Sequence, residues 1–236
     1  MTAPTFTSRA DATQWLNAIA WTAETATVTV AIATIPGREQ LLDRALLSID
    51  TQTRRPDYVV VESDPDRTGA GPTRNRALER VTTDWVAWLD DDDELLPGHL
   101  DVCLSTAAAT GADLVYPYFV MVDEQGVTPH DRDPLAVARG GQWVSPFGVP
   151  FGPEQEHHLR TAGNFIPVTT LVRTAALRAV GGFPTPGTTD WPDPAREDWG
   201  VLIRLLDAGY RFVHAPERTW RWHHHAGHTG GLPVTS

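Results

Sequence analysis

The sequence contains no lysine among its 236 residues, so all of its permanently charged basic side chains are arginines, 19 in number. This absence excludes Walker-type nucleoside triphosphatases, because their phosphate-binding loop requires a lysine before its serine or threonine. It also disfavours phosphatases of the haloacid-dehalogenase class, whose downstream basic residue is normally a lysine. The second exclusion matters because the chain has an acidic motif that superficially fits those phosphatases.

Cysteine and long apolar runs are also scarce. The single cysteine, Cys103, excludes an intrachain disulfide and fits a reducing compartment, and we expect its thiol to be buried in a helix. Apolar runs such as residues 114–122 are far too short to span a bilayer. The N-terminal residues carry charges where a signal peptide needs an apolar core. These features predict a soluble, cytoplasmic protein without a transmembrane segment.

The first half of the chain alternates strand and helix patterns. Its strands are continuous apolar runs, which indicate a parallel sheet covered on both faces. The second half is richer in loops, but 196–210 has the pattern of an amphipathic helix and 211–220 that of a final strand. The sequence predicts one α/β domain with a mainly parallel central sheet, flanking helices and a loop-rich C-terminal half. In the first half, the strands are predicted at 27–35, 57–64, 84–89 and 112–122, and the helices at 36–52, 71–81 and 97–110.

Five consecutive carboxylates, Asp90 to Glu94, follow the third predicted strand. Ligands of open α/β sheets bind beyond the carboxyl ends of the strands, so we expect this run at a ligand site. On an extended backbone, Asp90 and Asp92 would point to one side, and Asp91 and Asp93 to the other. Two converging carboxylates suit Mg²⁺ or Mn²⁺, which would offset their repulsion and hold a diphosphate. The net charge of −11 disfavours electrostatic binding of nucleic acid over the whole surface of the protein.

Five segments, in this order, resemble a family 2 glycosyltransferase of the GT-A fold, from about Thr27 to Gly231. They are VTVAIATIPGREQLLDRALLSIDTQTRRPDYVVVESD, GAGPTRNRALERVTTDWVAWLDDDDELLPGHL, GNFIPVTTLVRTAALRAVGGF, REDWGVLIRLLDAGYRF and TWRWHHHAGHTGG. The resemblance implies one GT-A domain at 26–231. Its parts would be a nucleotide-sugar half at 26–123 and an acceptor half at 124–222, with an N-terminal arm at 1–25 and a C-terminal tail at 223–236.

The resemblance also implies the residues of a donor site that uses Mn²⁺ or Mg²⁺. The donor-binding residues that it implies are Thr34, Glu62, Asp64, Arg74, Asp90 and Asp91. The metal ligands that it implies are Asp92, Asp90 and His223. The chain departs from the family pattern at the end of the second strand, where Glu62 and Ser63 replace two aspartates. The nucleotide is therefore left open, although a UDP-sugar is the favoured donor.

Glu197 and Asp198 open a predicted helix, where acidic residues also simply favour the helix dipole. The resemblance implies a catalytic role for the pair, with Asp198 as the general base that takes a proton from an acceptor hydroxyl. It implies a single displacement with inversion at the anomeric carbon. The acceptor is not identified; a glycan, a lipid-linked sugar, a small metabolite, a protein and a modified nucleic-acid base all stay open.

Two other functions compete with sugar transfer. A nucleotidyltransferase would need a glycine-rich basic loop after the first strand, which TIPGREQ matches poorly. A non-catalytic nucleotide-sugar-binding protein would not need the Glu197–Asp198 pair. The histidines at 223–228 match no standard zinc spacing, and we expect them in a tail that closes over bound donor.

Overall fold

The computed structural model describes residues 22–123, 126–127, 137–139, 142–144, 150–187 and 197–223. Nearly all of the predicted N-terminal arm and C-terminal tail lie outside these residues, and the predicted domain boundaries stay predictions. Among the helices that the structure describes, none has both the length and the apolarity that crossing a membrane requires. The predicted cytoplasmic location stays a prediction.

The predicted strands and helices of the first half are present, with ends that differ from the prediction by at most three residues. The strands are β1 (Val28–Thr34), β2 (Tyr58–Ser63), β3 (Trp85–Asp90), β4 (Glu94–Leu95), β5 (Leu114–Asp123), β6 (Gly126–Val127), β7 (Val137–Arg139), β8 (Gln142–Val144), β9 (Leu171–Arg173) and β10 (Phe212–His223). The helices are α1 (Glu39–Asp50), α2 (Ala70–Arg80), α3 (His99–Thr110), α4 (Pro153–Thr161), α5 (Thr174–Ala179) and α6 (Glu197–Asp207).

The central sheet has the strand order β2-β1-β3-β9-β5-β10-β4, with β6 added to β5. Strands β2, β1, β3, β5 and β10 run in one direction, whereas β9, β4 and β6 are antiparallel to their neighbours. The predicted mainly parallel sheet is thus confirmed. The register pairs Ala33 with both Glu62 and Asp90, so the carboxyl ends of β1, β2 and β3 share one edge. The acidic run begins at that edge.

The central strands form the core because apolar residues occupy both of their faces. Within β3, Trp85 and Val86 are fully buried and Trp88 and Leu89 are only 2% exposed, as expected of a strand with helices on both sides. Burial of one such large side chain contributes about 1.5–3 kcal/mol to stability. Cys103 is buried on α3, as the sequence predicted.

Helix α2 is held against the C-terminal half of the chain by Asn75. The Asn75 side-chain nitrogen donates to the Phe183 carbonyl at 2.9 Å, and the Phe183 backbone N–H donates to the Asn75 side-chain oxygen at 2.8 Å. Gly182 has a φ of +70°, and a Cβ on it would overlap the same Asn75 oxygen. A Cβ on Gly71 would overlap the carbonyl oxygen of Pro184. The spacing between α2 and residues 182–184 therefore requires glycine on both sides.

We expect Gly71→Ala to lower the free energy of unfolding by about 1–3 kcal/mol, because its methyl group would push α2 away from Pro184. Gly98→Ala is the control, since a Cβ there meets nothing within 4 Å and φ is −92°. That change should cost less than about 1 kcal/mol, mostly through the helix cap. Urea denaturation of both variants measures the difference. Equal losses would show that the close approach at Gly71 carries no special cost.

Candidate active site

The backbone turns immediately after β3, and the acidic run forms a tight turn, here called the acidic turn (residues 90–94). The Asp93 N–H donates to the Asp90 carbonyl at 3.1 Å, and Glu94 and Leu95 then form β4. The predicted extended backbone, with Asp93 on the side opposite Asp90 and Asp92, is therefore wrong. The structure instead brings one carboxylate oxygen from each of Asp90, Asp92 and Asp93 within 4.8 Å of one another.

Asp91 points to β1 instead of joining the other three aspartates. Its Oδ2 accepts a hydrogen bond of 2.6 Å from the Thr34 hydroxyl, and its Oδ1 lies 2.9 Å from Arg38 Nη2. Thr34, at the end of β1, thus contacts the acidic turn, and its predicted contact with the donor stays a prediction. Its hydroxyl fixes the acidic turn through Asp91.

Arginines from different parts of the chain surround the acidic turn. Arg38, just before α1, donates to Asp92 Oδ2, and Arg44 on α1 donates to the Asp92 carbonyl. The other two contacts join Arg74 Nη2 to Asp90 Oδ1 at 2.8 Å and Arg221 Nη1 to Glu94 Oε2 at 3.1 Å. The sequence suggested that a cation offsets the repulsion between the carboxylates of the acidic turn. Arginine side chains already supply much of that positive charge.

The converging carboxylates fit a hard divalent cation. Mg²⁺ takes oxygen ligands at about 2.0–2.1 Å, so oxygens on opposite sides of one ion lie about 4 Å apart. Burial, and next the charges of Asp90 and Asp92, raise the pKa of Asp93 well above its ordinary value. A cation between the three groups would favour their ionised forms. The donor set is therefore the kind that Mg²⁺ or Mn²⁺ uses, and it includes Asp93, which the sequence reasoning left out.

His223 lies at the turn without joining the three converging aspartates. Its Nε2 is 2.7 Å from Glu94 Oε1, and its backbone N–H donates to Asp93 Oδ1 at 2.9 Å. Among the described residues, the ligand atoms that converge come from Asp90, Asp92 and Asp93. The predicted metal ligation by His223 stays a prediction, and its observed contacts position the turn. Residues 224–228 of the histidine cluster lie outside the described part of the chain.

Arg74 connects the acidic turn to the first residue of α6. Its Nη2 contacts Asp90 and its Nη1 donates to Glu197 Oε1, while the guanidinium carbon lies 5.6 Å from the centre of the Phe183 ring. The side chain is only 8% exposed. Burial lowers the pKa of Arg74, but Asp90 and Glu197 outweigh it and raise that pKa overall. Two predicted sites, the metal motif and the Glu-Asp pair, thus share one buried guanidinium.

Asp198 follows Glu197 on α6 and is fixed by two hydrogen bonds. Asn164 Nδ2 donates to Asp198 Oδ2 at 2.9 Å, and the Trp199 N–H donates to Asp198 Oδ1 at 2.7 Å. Burial, and next the charge of Glu197, raise the pKa of Asp198 to about 6. Asp198 borders a cavity whose other walls are mostly apolar, formed by Trp88, Pro167, Val168, Phe183 and residues of α6. Asn164 was not singled out from the sequence, although it lies in the segment GNFIPVTT.

The predicted donor residues at the carboxyl end of β2, Glu62 and Asp64, contact the arginines of α2. Glu62 accepts from Arg76 Nε and from Arg80 Nη1, both at 3.0 Å. Asp64 is 2% exposed and accepts from Arg76 and from donors at 68–69. Burial raises the pKa of Asp64, but these hydrogen bonds outweigh it and lower that pKa to about 2. Both carboxylates thus hold α2 in place, and their contact with a nucleotide stays a prediction.

The fold is similar to that of several solved structures. S. aureus TarS 1-349 in complex with UDP-GlcNAc superposes with a TM-score of 0.61 at 17% identity, covering 86% of this chain and 60% of that one. The complex with UDP gives a TM-score of 0.55 over 84% of this chain and 60% of that one, also at 17% identity. These neighbours are GT-A glycosyltransferases, so the predicted GT-A fold is confirmed.

Sequence comparison supports the same assignment. The chain is 29% identical over 153 residues to a protein named pre-mycofactocin glycosyltransferase in two strains of Mycobacterium tuberculosis, CDC 1551 / Oshkosh and ATCC 25618 / H37Rv. The aligned part is 64% of this chain but 29% of each relative, so the chain spans less than a third of their length. The model of the family described as glycosyl transferase family 2 matches residues 38–178, more than half of the chain. The chain therefore belongs to glycosyl transferase family 2.

Proposed function

We propose that this chain transfers a sugar from a nucleoside-diphosphate sugar to an acceptor hydroxyl, with a divalent cation and with inversion at the anomeric carbon. One observation carries the proposal: Arg74 pairs both with Asp90 of the acidic turn and with Glu197, next to Asp198. This pairing supports a cation site and a carboxylate base that work together. A UDP-sugar is the favoured donor, because TarS has been crystallised with UDP-GlcNAc and with UDP. The acceptor is a hydroxyl compound of unassigned class.

The acidic turn would hold the cation through Asp90, Asp92 and Asp93. When bound, Mn²⁺ or Mg²⁺ supplies positive charge that stabilises the leaving nucleoside diphosphate. Arg74 orients Asp90 from the buried side, and Thr34 fixes the turn through Asp91. These contacts order the turn in advance, which lowers the cost of organising the site around the donor.

Asp198 is the proposed general base. A sugar hydroxyl is a weak nucleophile, so a carboxylate must accept its proton as the oxygen bonds to the anomeric carbon and the diphosphate leaves. A pKa of about 6 leaves Asp198 ionised at neutral pH yet more basic than an ordinary aspartate. Asn164 orients this carboxylate. The sequence grouped Glu197 with the base, but Arg74 engages its carboxylate, and we assign it a positioning role.

We expect EDTA to abolish transfer and Mn²⁺ or Mg²⁺ to restore it. Asp92→Asn should weaken Mn²⁺ binding by about tenfold or more, since one of three anionic ligands becomes neutral. The control is Asp101→Asn, whose carboxylate lies on α3 and bonds to Thr53. Calorimetric titration with Mn²⁺ measures both variants. Transfer that continues in EDTA, together with wild-type Mn²⁺ affinity in Asp92→Asn, would contradict a cation site at the turn.

We expect Asp198→Asn to bind donor normally and to lose transfer by about 10²–10⁴-fold, because the proton acceptor is gone. The wild-type kcat/KM should fall about tenfold per pH unit below pH 6, where Asp198 of the free enzyme becomes protonated. The residual activity of Asp198→Asn should lack that decline. Initial rates between pH 4.5 and 8, with donor binding as the control for folding, test this assignment. Near-normal transfer by a well-folded variant would exclude Asp198 as the base.

We expect Arg74→Met to lower the free energy of unfolding by about 3–5 kcal/mol, because the buried carboxylate of Glu197 would be left without its partner. Adding Glu197→Met should restore part of that loss. The matched control is Arg80→Met, which removes an exposed ion pair with Glu62 and should cost less than about 1 kcal/mol. Urea denaturation measures all three variants. Similar losses for Arg74→Met and Arg80→Met would refute the buried link.

A further inference from the structure

Arg38 contacts aspartate carboxylates of the acidic turn from a more exposed position than Arg74 does. Its Nη2 lies 2.9 Å from Asp91 Oδ1 and also donates to Asp92 Oδ2. Its side chain is 31% exposed, whereas that of Arg74 is 8% exposed and fixed between two elements. Its Nε is buried and has no hydrogen-bond partner among the described residues. Arg38 thus has one donor engaged and another unused beside the proposed diphosphate site.

Arg38 lies just outside the helix that follows it. It is the N-terminal cap residue of α1, and its side chain makes no capping hydrogen bond to that helix. The N–H groups of Leu41 and Leu42 donate instead to the Arg38 backbone carbonyl. A change in the side-chain rotamer of Arg38 would therefore leave the hydrogen bonds of the helix intact.

Arg38 and a cation at the acidic turn share a ligand. Asp92 is one of the three converging carboxylates, and it is also the partner of Arg38. A divalent cation and a guanidinium repel each other when they are held against one carboxylate. Arginine binds diphosphate oxygens as well as it binds carboxylates, through its planar set of N–H donors. An incoming cation with a diphosphate would thus displace Arg38 and also offer it a new partner.

We infer that Arg38 is an exchangeable counter-ion of the acidic turn, which pairs with Asp91 and Asp92 and passes to the donor diphosphate when the cation and nucleotide bind. The inference rests on the proposed function, because it assigns a role at the same site. The exchange couples the binding of the cation to that of the diphosphate. The cation alone would displace Arg38 without giving it a new partner, and the diphosphate alone would take Arg38 away from the aspartates without replacing its charge. Each ligand removes the cost that the other meets.

If Arg38 is exchanged in this way, its neutralisation should change the affinity for Mn²⁺ alone and the affinity for UDP with Mn²⁺ in opposite directions. Arg38→Gln should bind Mn²⁺ alone about tenfold more tightly, because the competing charge on Asp92 is gone. The same variant should bind UDP in saturating Mn²⁺ about tenfold more weakly, because the diphosphate loses a partner. A purely structural role would weaken both. A residue that contacts only the diphosphate would leave binding of Mn²⁺ alone unchanged.

Calorimetric titration of the full chain with Mn²⁺, and then with UDP in saturating Mn²⁺, tests the inference. The matched control is Arg160→Gln, because Arg160 is 32% exposed and bonds to two carboxylates, Glu156 at 2.9 Å and Asp207 at 2.7 Å. Both of its affinities should equal those of the wild type. Arg38→Lys keeps the positive charge, so its affinity for Mn²⁺ alone should stay near the wild-type value.

Unchanged or weaker Mn²⁺ binding by Arg38→Gln would overturn the exchange, and so would unchanged UDP affinity. If the wild-type protein binds both Mn²⁺ and UDP, either result contradicts only the exchange and is still consistent with the proposed function. A folded wild-type protein that binds neither Mn²⁺ nor UDP would instead refute the proposed function, and this inference with it. Far-UV circular dichroism of each variant supplies the folding control.

Discussion

Arg74 pairs at once with Asp90 and Glu197, and the arrangement of the site depends on this double ion pair. The contact with Glu197 joins residues 123 positions apart in the sequence, in a buried setting where an unpaired charge is expensive. Helix α2 is in turn fixed by Asn75 and by the close approach at Gly71. The acidic turn and the start of α6 are therefore held in fixed positions relative to each other, as the proposed metal-assisted transfer with a separate base would require.

The absence of lysine is consistent with this design. A guanidinium presents several N–H donors in one plane, so a single buried side chain reaches two carboxylates on different elements. Lysine is a point charge and would not bridge Asp90 and Glu197 in this way. The acidic turn carries a high density of negative charge, and arginines from several segments balance part of it. We propose that a divalent cation supplies the positive charge that the arginines do not.

Periodicity and residue type predicted the alternating strands and helices well, because each pattern reflects burial within a few residues. The backbone conformation of the acidic run was harder to predict. Its backbone turns because Glu94 and Leu95 pair with β10 and Asp93 accepts a hydrogen bond from His223, contacts with residues more than a hundred positions away. No local pattern encodes such pairing, so alternation placed Asp93 on the wrong side. The role of Asn164 was missed for the same reason, because its contact with Asp198 exists only in the folded chain.

We propose that the acidic turn binds a nucleoside-diphosphate sugar through a divalent cation. Thermal unfolding of the full chain with a panel of nucleotide sugars, each with and without Mn²⁺, is the decisive test. We expect a rise in Tm with at least one donor, only in the presence of Mn²⁺, and no such rise in Asp92→Asn. No shift with any donor, or the same shift without Mn²⁺ and in Asp92→Asn, would contradict it.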